Sequence, residues 1–134
     1  MKILKIILLN TFNCILLSFL LTFPYKCQAK HIYSEHEYQS SWCNKHGGKI
    51  EHVLNDKTRI DCLLNDVAVE VDFAPKWAEC IGQAIYYAKM TNKIPACLLI
   101  LEKETDTKYL NRLYYSVHKP FRIFIISPSD ITSF

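Results

Sequence analysis

The sequence predicts an α/β domain: a mixed sheet with helices on its faces, in the order α-β-β-β-α-β-α-β. Three observations lead there. Three short strand-like runs, Lys49 to Leu54, Thr58 to Leu64 and Val67 to Phe73, follow one another across two connections rich in turn-forming residues. Two later apolar runs of strand length, Ala96 to Leu101 and Phe121 to Ser127, are each preceded by a segment with helical periodicity. A meander that then alternates with helices buries both faces of its later strands, which is a mixed α/β layer arrangement.

Each element has a local reason. Tyr33 to Lys45 contains neither proline nor glycine and is stopped by Gly47-Gly48, so it reads as the first helix. Asn55-Asp56-Lys57 and Asn65-Asp66 supply the two hairpin turns. Pro75 suits the first turn of a second helix running from Lys76 to Lys89, which ends at Thr91-Asn92-Lys93. Thr105 or Asp106 can cap a third helix to about Val117, closed off by Pro120. Pro128 to Phe134 reads as an irregular tail, and no internal repeat or low-complexity segment is present.

Residues 1–29 read as a secretory signal peptide, with Lys2 and Lys5 ahead of an apolar run to Phe23 and a cleavage site after Ala29. The competing reading is an uncleaved anchor, which Asn10, Thr11 and Asn13 weaken. Cleavage leaves a single domain, residues 30–134, long enough for one core. Of the 16 lysines and arginines, Lys2, Lys5 and Lys26 leave with the leader, so 13 basic residues face 13 acidic ones. That balance excludes a global basic field, and any phosphate-binding surface has to be local. The expected destination is secreted or periplasmic, with no membrane association once the leader is gone.

Cys43, Cys62, Cys80 and Cys97 survive cleavage, and in an oxidising compartment disulfides are expected. Four cysteines allow three pairings. Cys43 with Cys62 is the favoured one, because it brackets a short hairpin and ties the first helix to the sheet. Cys80 and Cys97 read as small buried apolar residues. Zinc is disfavoured, since no two cysteines stand at zinc-knuckle spacing. Cys80 lacks the local signature of a cysteine–histidine hydrolase, and Gly47-Gly48 is a helix stop rather than a phosphate loop.

Strand periodicity places the remaining polar residues. Glu70 and Asp72 share one face of the third strand, opposite Val69, Val71 and Phe73. A two-residue turn at Asn65-Asp66 sets Leu64 against Val67 and therefore Asp61 against Glu70. Two acids so placed repel unless a proton or a cation compensates, and a divalent cation is one natural resident. On the second helix Lys76, Cys80, Gln83 and Tyr87 fall within about 60° of one another, beside an apolar stripe of Trp77, Ile81, Ala84, Ile85 and Ala88. Glu35 and Glu37 read as a solvated face of the first helix, with reach to the acids as the alternative.

Asp61, the Glu70-x-Asp72 pair and Gln83-x-x-x-Tyr87 together resemble the PD-(D/E)XK nuclease superfamily, in particular its RecB-like branch with a Q-x-x-x-Y helix motif. The likeness extends over about Tyr33 to Ser127. The same pattern is similar to that of small exported bacterial proteins without assigned function. The resemblance implies a restriction-endonuclease-like fold and magnesium-dependent hydrolysis of DNA, with manganese as a substitute. It makes Asp61 and Glu70 metal ligands, with the Val71 carbonyl as a third, and Gln83 and Tyr87 substrate-positioning residues. Asp72 departs from the pattern, since the family usually has lysine there. Lys76 is the expected relocated cation, with Asp72 a second cation's ligand or the mark of a dead site. The alternative is a non-catalytic envelope binding or interaction protein that keeps the nuclease fold.

Overall fold

A computed structural model describes residues 30–131, and the fold begins at His31. The leader reading of residues 1–29 and the tail beyond Ile131 lie outside the described residues. The elements are α1 (Glu35–Lys45), β1 (Lys49–Val53), β2 (Arg59–Leu63), β3 (Val67–Phe73), α2 (Trp77–Thr91), β4 (Ile94–Ile100), α3 (Thr107–Ser116), β5 (Arg122–Ile126) and a short α4 (Pro128–Ile131). Short 3-10 turns at Ala74–Lys76 and Glu104–Asp106 lead into α2 and α3. The tail expected to be irregular thus begins with a helical turn. The protein is a mixed α/β domain with a five-stranded sheet in the order β1-β2-β3-β4-β5. β1, β2 and β3 pair antiparallel, whereas β4 runs parallel to both β3 and β5.

β3 and β4 sit at the centre, and their near-continuous apolar runs are buried on both faces, as parallel neighbours covered by helices require. Val67, Val69 and Val71 face α1, packing with Tyr38, Trp42, Leu98 and Ile100. The opposite face carries Cys97 and Leu99 against Cys80 and Ala84 of α2 and Leu113 of α3. Ala68, one register step from Glu70 on that second face, packs with Tyr87 and Ile60. β3 therefore delivers Glu70 and Asp72 toward α2.

α1 is fixed at both ends by its own sequence. Ser34 and Glu37 form a reciprocal capping box, which employs Glu37 in structure rather than in a site. At the other end Gly47 adopts φ +69, while the amides of Gly47 and Gly48 return to the carbonyls of Asn44 and Cys43. That is a Schellman stop. Gly48 serves a second purpose, because a Cβ there would lie 2.5 Å from Cys62 Sγ and 2.6 Å from Cys43 Sγ. Gly48→Ala is expected to lower stability by about 1–3 kcal/mol through overpacking. A lower urea midpoint with unchanged slope would register it; an unchanged midpoint would show that the turn yields freely.

Two disulfides cross-link the domain, Cys43 to Cys62 and Cys80 to Cys97, with Cα separations of 5.7 and 5.9 Å. The second corrects the reading of Cys80 and Cys97 as unpaired apolar residues. Both are fully buried, where a cysteine packs like any small hydrophobe, and only the meeting of α2 with β4 brings them together. Two bridges are what an oxidising compartment permits, and no helix among the described residues is long and apolar enough to cross a membrane.

α2 is also turned relative to its expected core face. Cys80, Ala84, Tyr87 and Ala88 are buried, while Ile85, expected inside, is 51% exposed. The stripe that contains Cys80 and Tyr87 faces inward. Periodicity alone could not choose between two adjoining stripes.

Candidate active site

The site begins where β2 breaks its own alternation. Cys62 pairs with Val69 and Leu63 with Ala68, the register that sets Asp61 against Glu70. Ladder pairing stops there, because the Asp61 carboxylate accepts the Val71 amide at 2.8 Å in place of a strand carbonyl. The Asp61 carbonyl in turn accepts from Gln39 Nε2 of α1 at 2.8 Å, and the same amide nitrogen reaches Glu51 at 3.0 Å. Across β1, Glu51 takes φ +54, a conformation costly for a residue with a side chain.

A change of face accompanies the break. Cys62 packs toward α1, yet Ile60, two residues earlier, packs with Ala68 and Tyr87 on the α2 side. An uninterrupted strand would put both on one face. The pairing of β2 with β3 ends at Cys62–Val69, next to Asp61 and Glu70. Irregularities of this kind re-aim side chains at the margins of sheets.

Beside it is a cavity of about 410 Å³ lined by Asp61, Glu70, Asp72, Lys76, Gln83 and Tyr87, and also by Glu35, Lys57, Thr58 and Arg59. All six residues singled out from the sequence thus border one space. Glu35 sits at the start of α1 and lines the cavity rather than belonging only to a solvated face. Lys57, Thr58 and Arg59 were not singled out. Their signal was the hairpin itself, which places its tip beside the strand that bears Asp61.

Burial governs the electrostatics. Glu70 and Asp72 are only 6% and 3% exposed, and Oε2 of Glu70 and Oδ2 of Asp72 have no hydrogen-bond donor among the described residues. Burial pushes the Glu70 carboxyl up to about 9, reinforced by the charges of Asp61 and Asp72. Asp61 rises to about 6 for the same first reason, opposed by the Val71 amide. Asp72 rises to about 7 through burial, opposed by Lys76. Tyr87 is held up to about 12 by burial, with Glu70 and Asp61 adding to it. Three desolvated acids in one cavity require protons or a cation.

Lys76 Nζ lies 3.3 Å from Asp72 Oδ1 and 3.9 Å from Glu35 Oε2. Asp72, its nearest partner, keeps the Lys76 ammonium charged above its ordinary range. The lysine is therefore engaged with Asp72 and Glu35, and its charge reaches Glu70 only as a weaker field. Tyr87 Oη donates to Gln83 Oε1 at 3.4 Å, so the two residues of the helix motif form one unit.

As to metal, no three His, Cys, Asp or Glu side chains converge on one point among the described residues. A closed cage for zinc or calcium is therefore absent from that part of the molecule. Two neighbouring carboxylates with an unpartnered oxygen fit magnesium better, which keeps several waters and takes only one or two carboxylates from a protein. Compared with models of known families, with curated proteins and with solved structures, the chain matches none.

Proposed function

We propose that this chain is an exported, metal-dependent nuclease-like domain that hydrolyses phosphodiesters of DNA, with a restriction-endonuclease-like fold and a secreted or periplasmic destination. The observation that carries the reading is one cavity lined by both Asp61 and Glu70, one step beyond the Cys62–Val69 pair, in which Glu70 Oε2 is buried without a donor among the described residues. The succession of α1, three meander strands, α2, β4, α3 and β5 supports the fold assignment.

Asp61 and Glu70 would hold magnesium, or manganese in its place, with the Val71 carbonyl as a further ligand. The bound cation lowers the pKa of an attacking water and stabilises charge on the phosphate. The rest is done by the chain. The Val71 amide fixes one oxygen of Asp61 and so orients the carboxylate. Lys76 supplies the positive charge that Asp72 cannot, and its contact with Asp72 stations it at the cavity wall. Gln83 and Tyr87 position the substrate from the adjoining helix.

The test is cleavage of single- and double-stranded DNA by the purified chain in magnesium or manganese, with Asp61→Ala alongside. We expect at least a hundredfold loss in Asp61→Ala; activity equal to the parent would dispose of the reading. A second reading is favoured by one observation, the ion pairing of Lys76 with Asp72 and Glu35. On that reading the domain is a non-catalytic binding protein that keeps the fold. Magnesium binding abolished by Glu70→Ala in calorimetry would argue against it.

A further inference from the structure

The hairpin joining β1 to β2 is built as a three-residue loop. Lys57 N donates to the Leu54 carbonyl at 3.0 Å and Leu54 N to the Thr58 carbonyl at 2.9 Å, with Lys57 at φ +73. This is a type I turn followed by a left-handed position, where glycine is the favoured residue. A lysine therefore stands where the backbone prefers no side chain. Lys57 lines the carboxylate cavity, and its side chain makes no ion pair among the described residues. Arg59, which also lines it, is bound to Glu51 on one side at 2.7 Å, and its side chain is 64% exposed.

The hairpin tip is also held in place. Asp56 accepts from Thr58 N at 3.1 Å and Thr58 Oγ1 at 2.7 Å, and the hydroxyl of Tyr86 on α2 donates to its other oxygen. The tip is thereby tied to α2. Lys57 and Arg59, exposed on the hairpin, line the same cavity as Asp61 and the buried Glu70 and Asp72. A substrate presenting only a single anionic group needs no cations beyond the reacting centre. A chain of phosphodiesters does, because the phosphates beside the reacting one also require cationic partners.

We infer that the β1–β2 hairpin is a phosphate clamp, in which Lys57 and Arg59 hold the nucleic-acid backbone next to the phosphodiester presented to Asp61 and Glu70. The inference rests on the nuclease-like reading and assigns to it the residues that bind substrate rather than those that hold metal. Because the domain carries no net basic excess, this local pair supplies much of the attraction for a polyanion.

Lys57→Gly is the informative variant, since it removes the charge and at the same time relieves the left-handed backbone. Binding is measured by anisotropy of a fluorescein-labelled oligonucleotide, single-stranded and duplex, with calcium replacing magnesium to prevent cleavage, across a series of salt concentrations. Lys57→Gly is expected to melt at or above the parent temperature, to bind several-fold more weakly, and to lose about 0.7–0.9 from the magnitude of the salt slope. In cleavage assays its KM rises with kcat unchanged, whereas Lys57→Arg retains parental binding. Parental affinity and slope in Lys57→Gly, with the parent cleaving DNA, would overturn the clamp and leave the nuclease reading standing. A parent that neither binds nor cleaves would overturn both.

Discussion

Glu70→Gln is expected to melt several degrees above the parent and to have no nuclease activity. The reason lies in what Glu70 is made to tolerate. The residue is 6% exposed, its Oε2 has no donor among the described residues, and the charges of Asp61 and Asp72 act on it. Glutamine keeps the shape, is neutral without having to take up a proton as the buried carboxyl must, and offers an amide that can donate to its acidic neighbours. A gain on the order of 1–2 kcal/mol is reasonable for such a substitution at a functional site. In a domain of about 100 residues each kcal/mol corresponds to about 4–8 °C. A melting temperature equal to or below that of the parent would mean that Glu70 is not under strain.

The same group sets a pH dependence whose sign follows from linkage. The Glu70 carboxyl moves from 4.5 in the unfolded chain up to about 9 in the native one, and Asp72 from 3.8 up to about 7. Within those windows the native state holds more protons than the unfolded state, so stability falls as pH rises. The parent is expected to lose stability between about pH 5 and pH 8, and Glu70→Gln to lose less over the same range. On the proposed function, magnesium is expected to restore stability to the parent by binding the native state, and to do so far less for the variant. A parent whose melting temperature ignores both pH and magnesium would contradict the arrangement of acids described above.

Which parts of this were legible beforehand depends on how local their causes are. β3 was readable to the residue, because Val67 to Phe73 begins after a turn-forming pair and ends at a proline-containing turn. The placement of Glu70 and Asp72 on one face follows from strand alternation and needs no tertiary information. The hairpin at Asn65-Asp66 is short enough that its length alone sets the register of Asp61. The face change of β2 was not readable, because it accompanies contacts distant in sequence: the Asp61 carboxylate accepts the Val71 amide and its carbonyl accepts from Gln39 of α1. The Cys80–Cys97 bridge was hidden for a similar reason: each cysteine sits in an apolar run, and only the docking of α2 on β4 distinguishes a bridge from ordinary packing. Lys57 and Arg59 looked like turn and strand-edge residues, and it is the pinning of Asp56 by Tyr86, 30 positions away, that ties their hairpin to α2.

Removing the Cys43–Cys62 bridge, as the Cys43→Ala, Cys62→Ala pair, is the change expected to cost most stability. The bridge spans 19 residues, from α1 through the Gly47-Gly48 stop and β1 into β2. Closing a loop of that size in the unfolded chain is worth about 3 kcal/mol, which corresponds to a fall in melting temperature on the order of 12–24 °C for a domain of this size. Both sulfurs are fully buried and packed against Gly48, so the substitution also leaves a small void. The consequence for the site is more specific than the loss of stability. Cys62 directly follows Asp61, at the point where β2 leaves its ladder with β3 and, on that side, the Val71 amide replaces strand pairing while Gln39 holds the Asp61 carbonyl. Untying Cys62 from α1 loosens the segment that orients the Asp61 carboxylate, and metal affinity should fall even at temperatures where the domain stays folded. Titration with magnesium in a calorimeter, at a temperature where the double variant stays folded, tests this. An affinity equal to the parent's would show that the bridge serves the fold alone and that Asp61 is held without it.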